Sequence, residues 1–263
     1  MPRPLALITG ASSGIGAAYA RLLADDCDFV LVARRADRLN DLATDLRAGG
    51  AAVEVLPADL STPEGLAAVT DRLAAGDVRR LISNAGAGGY APLTQVDPAA
   101  VDRSLTLNAV SPIQLVRAAL PGMLAAGEGT LITVASLLAF SGGQTDPRMP
   151  HRTLYTAAKA AIVAFTRTLA HELAETSIRT QVVCPGVVAT EFNDGAGQHV
   201  PIAMRPEDVA AASLAGVRLG ETICVPGLNN AANALDALLA AETAVLNGGN
   251  RPSPASRYHP LPQ

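Results

Sequence analysis

Leu5-Ala6-Leu7-Ile8-Thr9-Gly10-Ala11-Ser12-Ser13-Gly14-Ile15-Gly16 is the stretch that decides how this chain folds. Leu5–Thr9 reads as a short buried strand. It ends on glycines that lead into an Ala-rich helical stretch, Ile15–Ala24. Glycines at such a junction allow a tight turn. They also let the main chain approach an anion at the helix N-terminus, where free N–H groups and the helix dipole favour negative charge. Three glycines alone say little, since turns are full of them. Their place after the first strand points to a pyrophosphate, and hence to a dinucleotide, with Gly10, Ser12, Ser13, Gly14, Ile15 and Gly16 around it.

The alternation continues outward. Phe29–Ala33, Val53–Leu56, Arg80–Ser83, Gly129–Val134, Ile178–Val183 and Glu221–Val225 read as strands. Helical stretches lie between them: Ala36–Ala48, Pro63–Ala75, one around Val101–Leu120, Tyr155–Glu175 and a start at Arg205-Pro206. Near-continuous apolar strands separated by helices predict an α/β fold, a doubly wound parallel sheet of about seven strands with helices on both faces. No linker divides the chain, so residues 1–263 read as one domain. A further Ala/Leu-rich helix is expected over Asn230–Leu246, suited to packing or self-association, and an irregular tail from about residue 247.

Composition narrows the function classes. The 263 residues are 49% hydrophobic and 3% aromatic, with no Trp, a net charge of −4 and a pI near 5.6. Without a basic tract, nucleic acid is not an expected partner. Cys27, Cys184 and Cys224 are far apart and odd in number. They frame neither disulfides nor a metal site, and they suggest a reducing compartment. The apolar run at the N-terminus is too short for a signal-peptide core, and no stretch approaches the roughly 20 apolar residues, free of charges and breakers, that span a bilayer. A soluble, cytoplasmic protein with no membrane partner is the expectation.

Two further features carry chemistry. The second strand ends Ala33-Arg34-Arg35, where an acidic residue gripping a ribose 2′-OH would suit NAD. Two guanidiniums suit a 2′-phosphate instead, so NADP(H) is favoured over NAD(H), although Asp37 lies close by. Tyr155 and Lys159 stand four residues apart in Tyr-Thr-Ala-Ala-Lys. On a helix they share a face, and a phenol beside an ammonium is expected to have its pKa lowered. Tyr and Lys also share helix faces by chance, and the weight comes from what falls in register with them.

The assembled motifs resemble the short-chain dehydrogenase/reductase family from Leu5 to about Gly227. Thr9-Gly10 with Gly14-x-Gly16 matches its glycine pattern, and Asp59-Leu60 its adenine-contacting site. Ser83-Asn84-Ala85-Gly86 is similar to its Asn-Asn-Ala-Gly stretch, with Ser in place of the first Asn. Asn108 matches its helix Asn and Ser136 its post-strand Ser. Tyr155-x-x-x-Lys159 completes the set, and Pro185-Gly186 with Val188 and Thr190 matches the segment beside the nicotinamide.

The resemblance implies a Rossmann-type fold and an NADP-dependent oxidoreductase acting on a small-molecule carbonyl or alcohol, assembled as a dimer or tetramer. It implies Tyr155 as general acid/base, Lys159 on the nicotinamide ribose and beside the phenol, Ser136 as donor to the substrate oxygen, and Asn108 holding a relay water. A 3-oxoacyl-carrier-protein reductase, with Arg148 and Arg152 as a basic patch, and a non-catalytic NADP sensor or scaffold are the alternatives. Ser136 and Tyr155 are 19 residues apart, more than the family usually shows, and the excess falls in a breaker-rich loop over 142–151. That loop is expected to line the substrate entrance, with His151 exposed, and 191–204 to form a mobile lid.

Overall fold

The computed structural model describes residues 3–258. In chain order, β1 (Leu5–Thr9) leads to α1 (Gly14–Leu22), β2 (Asp28–Ala33), α2 (Ala36–Ala48), β3 (Val53–Pro57), α3 (Pro63–Ala74) and β4 (Val78–Ser83). Then come α4 (Pro98–Leu105), a π-helical turn (Thr106–Val110), α5 (Ser111–Ala126), β5 (Gly129–Val134), α6 (Thr153–Glu172), β6 (Ile178–Val183), α7 (Pro206–Leu219), β7 (Ile223–Cys224) and α8 (Ala231–Gly249). The seven strands form one sheet in the order β3-β2-β1-β4-β5-β6-β7, every pair parallel. This is the expected Rossmann-type doubly wound sheet.

Local chemistry explains the boundaries. In α2, Leu39, Leu42, Ala43 and Leu46 form the buried stripe, with Asp37 in the first turn and Arg47 in the last, as the helix dipole favours. Helix α3 starts at Thr62, whose hydroxyl accepts from Gly65 N–H at 3.1 Å, with Pro63 at the first helical position. Helix α5 ends on Gly127 at φ 70°, a left-handed stop.

The pleat sorts side chains into two apolar layers. Ile8, Tyr19, Phe29, Leu39, Val183 and Val209 share one, beneath α1, α2 and α7. Leu7, Leu73, Leu115, Met123 and Leu131 share the other, beneath α3, α5 and α6.

Strand β1 pairs with β2 on one side and β4 on the other, so winding reverses there and a crevice opens beyond the strand ends. The fully buried Thr9 fixes its width. Its hydroxyl accepts from the backbone N–H groups of both Asn84 and Ala85 at 3.0 Å.

The long central helix differs from its expected span. It runs over Pro98–Ala126, long and apolar enough by length and composition to cross a membrane, but it carries Asp102, Arg103, Pro112, Arg117 and Pro121, so it is not a stretch free of charges and breakers. Its apolar side packs on β4, β5 and α3.

The chain divides into two compact units, one reaching to Pro226 and one beginning at Gly227. The first holds the whole sheet. The second holds α8, which runs to Gly249, and a 3₁₀ turn at Ser256–Tyr258. The tail is therefore helical for three residues past its expected start, and residues 259–263 lie outside the described residues.

Candidate active site

The glycine turn lies at the mouth of the crevice. Gly14 has φ +56°, and a Cβ there would meet the Thr190 methyl at 2.9 Å. A Cβ on Gly16 would strike the Gly10 carbonyl oxygen and Asn84 Nδ2. Asn84 braces the turn by donating from Nδ2 to the Thr9 carbonyl at 3.0 Å. Its contribution is the backbone bonding expected of it, while Ser83 stands buried at the end of β4.

The two arginines divide. Arg35 donates from Nη2 to Ser12 Oγ at 3.0 Å and Ser13 Oγ at 2.8 Å, folding its guanidinium over the N-terminus of α1. Arg34 does not join it. Its side chain is 75% exposed and its nearest acid is Asp59, at 3.9 Å. The second guanidinium beside Arg35 is that of Arg38, which the sequence reading missed. Both hold the carboxylate of Glu191, at 2.8 Å from Arg35 Nη1 and 2.7 Å from Arg38 Nη1. Their hydrogen bonds hold the Glu191 carboxyl down at about 2. Burial raises the Asp59 carboxyl, but hydrogen bonds from the Ser61 hydroxyl and N–H, with the Arg34 charge, outweigh it and the net shift is downward. The Leu60 side chain is core, packed with Leu66 and Val69.

Across the crevice four predicted residues come together. Tyr155 and Lys159 lie one turn apart on α6, 6% and 3% exposed. Lys159 Nζ is 5.6 Å from the Tyr155 ring centroid and donates to the Val134 carbonyl at 3.0 Å. Two residues on from Val134, Ser136 caps a 3₁₀ turn, Leu137–Phe140, accepting from Leu138 N–H at 3.2 Å. Asn108 sits fully buried in the π-helical turn. Its amide donates to the carbonyls of Ala87 at 3.1 Å and Ser104 at 3.0 Å, and its Oδ1 accepts from Ala87 N–H at 3.2 Å. Gly86 joins this group to the rest, because a Cβ there would lie 3.0 Å from Asn108 Oδ1 and 3.4 Å from Lys159 Nζ.

The electrostatics differ from the expectation. Burial, with Tyr90 adding to it, pushes the Tyr155 phenol well above its usual range, and the Ser136 hydroxyl pulls it only partly back. Lys159 does not lower it. Burial holds the Lys159 ammonium itself down at about 8, and its Nζ is turned to the Val134 carbonyl.

Tyr90 was also missed. Its ring meets Tyr155 edge-on with centroids 5.3 Å apart, and Phe192 lies 6.1 Å from Tyr155 on another side. Neither aromatic stands in a motif.

The Pro185-Gly186 segment borders Ser136, with Leu137 N–H donating to the Pro185 carbonyl at 2.9 Å. Val188 bridges to Met204, which closes the base of the 191–204 segment, and Thr190 carries the chain over Gly14. Asn193, Asp194 and Gly195 are all left-handed, at φ 53°, 57° and 76°, so the segment reverses sharply. The 142–151 loop is held across its ends by Arg152, just beyond it, and inside by an Arg148–Asp146 pair. Arg152 donates to the carbonyls of Ser141 and Gln144, both at 3.0 Å, and Arg148 grips Asp146 at 2.6 Å. His151 is exposed, and the three cysteines are buried and free.

Among known proteins, the short chain dehydrogenase family profile matches residues 4–200. A cis-4-hydroxycyclohexanecarboxylate dehydrogenase of Sinomonas cyclohexanicum is 35% identical over 221 residues, covering 79% of this chain and 86% of its own. A solved short-chain dehydrogenase from Sphingobium yanoikuyae, in complex with NADPH, superposes with a TM-score of 0.89 at 35% identity, covering 97% of this chain and all of its own. The bulky-bulky ketone specific alcohol dehydrogenase of Comamonas testosteroni gives a TM-score of 0.88 at 30% identity, covering 99% of this chain and all of its own. With the parallel sheet, the glycine turn and the Tyr155–Lys159 helix all on one framework, these matches establish that the chain belongs to the short-chain dehydrogenase family of oxidoreductases.

Proposed function

We propose that this protein interconverts a ketone or aldehyde and its alcohol with NADP(H), using Tyr155 as general acid and base. The observation that carries the reading is the meeting of Tyr155, Ser136, Lys159 and Asn108 beside Gly86, at the crevice where the glycine turn also lies.

The residues present fit a phosphorylated dinucleotide. Gly14 and Gly16 leave a cradle that a Cβ would fill, and Arg35, Arg38, Ser12 and Ser13 form an anion seat that already holds a carboxylate. When bound, the nicotinamide supplies or accepts the hydride at the carbonyl carbon. In reduction, Tyr155 gives its phenolic proton to the carbonyl oxygen, and the Ser136 hydroxyl donates a hydrogen bond there as negative charge grows. Lys159, still largely protonated at neutral pH and 5.6 Å from the Tyr155 ring, would hold the nicotinamide ribose hydroxyls. In oxidation the phenolate takes the alcohol proton. A phenol raised by burial starts as a proton donor, which suits the reductive direction near neutral pH. Asn108 acts by position, tying the Ala87 turn to the central helix.

The surfaces around Tyr155 favour an apolar substrate. Tyr90 and Phe192 flank it, and Leu137, Phe140 and Val187 stand exposed on the adjoining turns. Arg148 is paired with Asp146 and Arg152 is bonded to the Ser141 and Gln144 carbonyls, which weakens the case for a carrier-protein substrate. Assembly as a dimer or tetramer belongs to the same proposal and is read by light scattering.

The test is a panel of bulky aryl ketones, small ketones and acyl-carrier thioesters, followed by NADPH consumption, with NADPH and NADH titrated in parallel. Turnover of bulky ketones with tighter NADPH binding is expected. Turnover of acyl-carrier substrates alone supports the carrier-protein reductase, and NADPH binding with no turnover across the panel supports a sensor.

A further inference from the structure

The anion seat described above is taken by a residue of the chain itself. Glu191 follows Thr190, which passes directly over Gly14, so the main chain delivers its side chain to the N-terminus of α1. There its Oε2 takes Arg35 Nη1 at 2.8 Å, while both oxygens lie within 2.8 Å of Arg38 Nη1. Each of the three guanidinium nitrogens of Arg35 is then engaged, because Nε is bonded to Ser12 and Nη2 to Ser12 and Ser13. These contacts span 156 residues of sequence for Arg35 and 153 for Arg38. They fix the first residue of the 191–204 segment, just before its left-handed reversal at Asn193, Asp194 and Gly195.

A carboxylate on a guanidinium pair uses the same charge-assisted fork that a phosphate monoester uses. A 2′-phosphate near neutral pH carries up to about two negative charges. To reach Arg35 Nη1 it has to displace the Glu191 carboxylate, since two anions on one fork repel. A dinucleotide with a free 2′-hydroxyl has no such charge and leaves the Glu191 contacts in place.

We propose that Glu191 is a specificity-determining residue: its carboxylate competes with the cofactor 2′-phosphate for Arg35 and Arg38, limiting discrimination against NAD(H) and coupling 2′-phosphate binding to release of the 191–204 segment. This rests on the NADP(H) reading above. The competition is intramolecular. It therefore acts at every cofactor concentration, and it weakens as salt screens the exposed charges.

The test uses the full chain with 2′,5′-ADP and 5′-AMP as probes, titrated calorimetrically into the parent, Glu191→Gln and Arg35→Ala. Glu191→Gln is expected to bind 2′,5′-ADP about three- to tenfold more tightly than the parent, the scale of two exposed charge pairs, with 5′-AMP affinity unchanged. In hydrogen exchange on the parent, 2′,5′-ADP is expected to speed exchange of the amides over 191–200, while 5′-AMP leaves them as they were. Weaker or unchanged 2′,5′-ADP binding by Glu191→Gln overturns the proposal, with weaker binding meaning that the carboxylate closes over the cofactor instead. In that case, if the parent still prefers 2′,5′-ADP and Arg35→Ala loses the preference, the NADP(H) reading stands alone. If the parent and Glu191→Gln each bind both probes equally, both readings are overturned.

Discussion

Replacing Thr9 with Val tests how the crevice is held open. The hydroxyl of Thr9 is fully buried and accepts two backbone N–H groups, those of Asn84 and Ala85, each at 3.0 Å. Valine keeps the branched shape and removes the acceptor, leaving two donors unmet. An unsatisfied buried donor costs about 1–3 kcal/mol. Both N–H groups lie at the edge of the crevice, where water has partial access, so the lower part of that range applies and Thr9→Val is expected to cost about 2–4 kcal/mol in total. Thr9→Ser keeps the acceptor and loses one methyl, for about 1 kcal/mol. Urea unfolding of the three proteins measures the difference. NADPH titration reports the second consequence, since the same two bonds place Asn84 against the glycine turn, and Thr9→Val is expected to bind more weakly. Equal stabilities for the Val and Ser variants, within about 0.5 kcal/mol, refute the two-donor reasoning.

Other expectations follow from the same site. Gly16→Ala forces a Cβ onto the Gly10 carbonyl and Asn84, and should lose about 1–3 kcal/mol of stability together with NADPH binding; a variant that binds like the parent contradicts the packing. Lys159 has a folded pKa near 8, below its unfolded value near 10.5, so folding the ammonium carries a penalty that is full below pH 8 and relieved between pH 8 and 10.5. Lys159→Met should therefore exceed the parent in stability at pH 7, with the gap closing as pH rises through that window, and a pH-independent gap argues against the burial effect. Arg152→Ala removes the bonds to the Ser141 and Gln144 carbonyls, and should raise KM at least several-fold more than it lowers kcat while making 142–151 cleavable by trypsin-free limited proteolysis.

Much of this was readable from the chain because it is local. The Leu5–Thr9 strand, the glycine turn after it and the Ala36–Ala48 helix are written in short apolar runs, in glycines and in a stripe of Leu39, Leu42 and Leu46. Tyr155 and Lys159 needed only helical spacing to share a face. What the chain hid depends on distant approach. Arg38 reads as an ordinary helix-surface arginine until the fold brings Glu191 to it. Tyr90 stands in no motif and gains meaning only when its loop lays it on Tyr155. The π-helical turn at 106–110 accompanies the bonds of Asn108 to Ser104 and Ala87, and no periodicity announces it. The expected lowering of Tyr155 by Lys159 assumed that sharing a face decides a pKa, whereas burial of both groups outweighs their proximity.

The most direct measurement is turnover by Tyr155→Phe beside the parent, with NADPH and the best ketone from the panel, together with NADPH affinity for both. The variant keeps the ring that Tyr90 and Phe192 pack against and deletes only the hydroxyl. Turnover is expected to fall by at least about 100-fold, with NADPH affinity within about twofold of the parent. Turnover close to the parental rate contradicts proton transfer by Tyr155 and removes the chemical core of the proposed function.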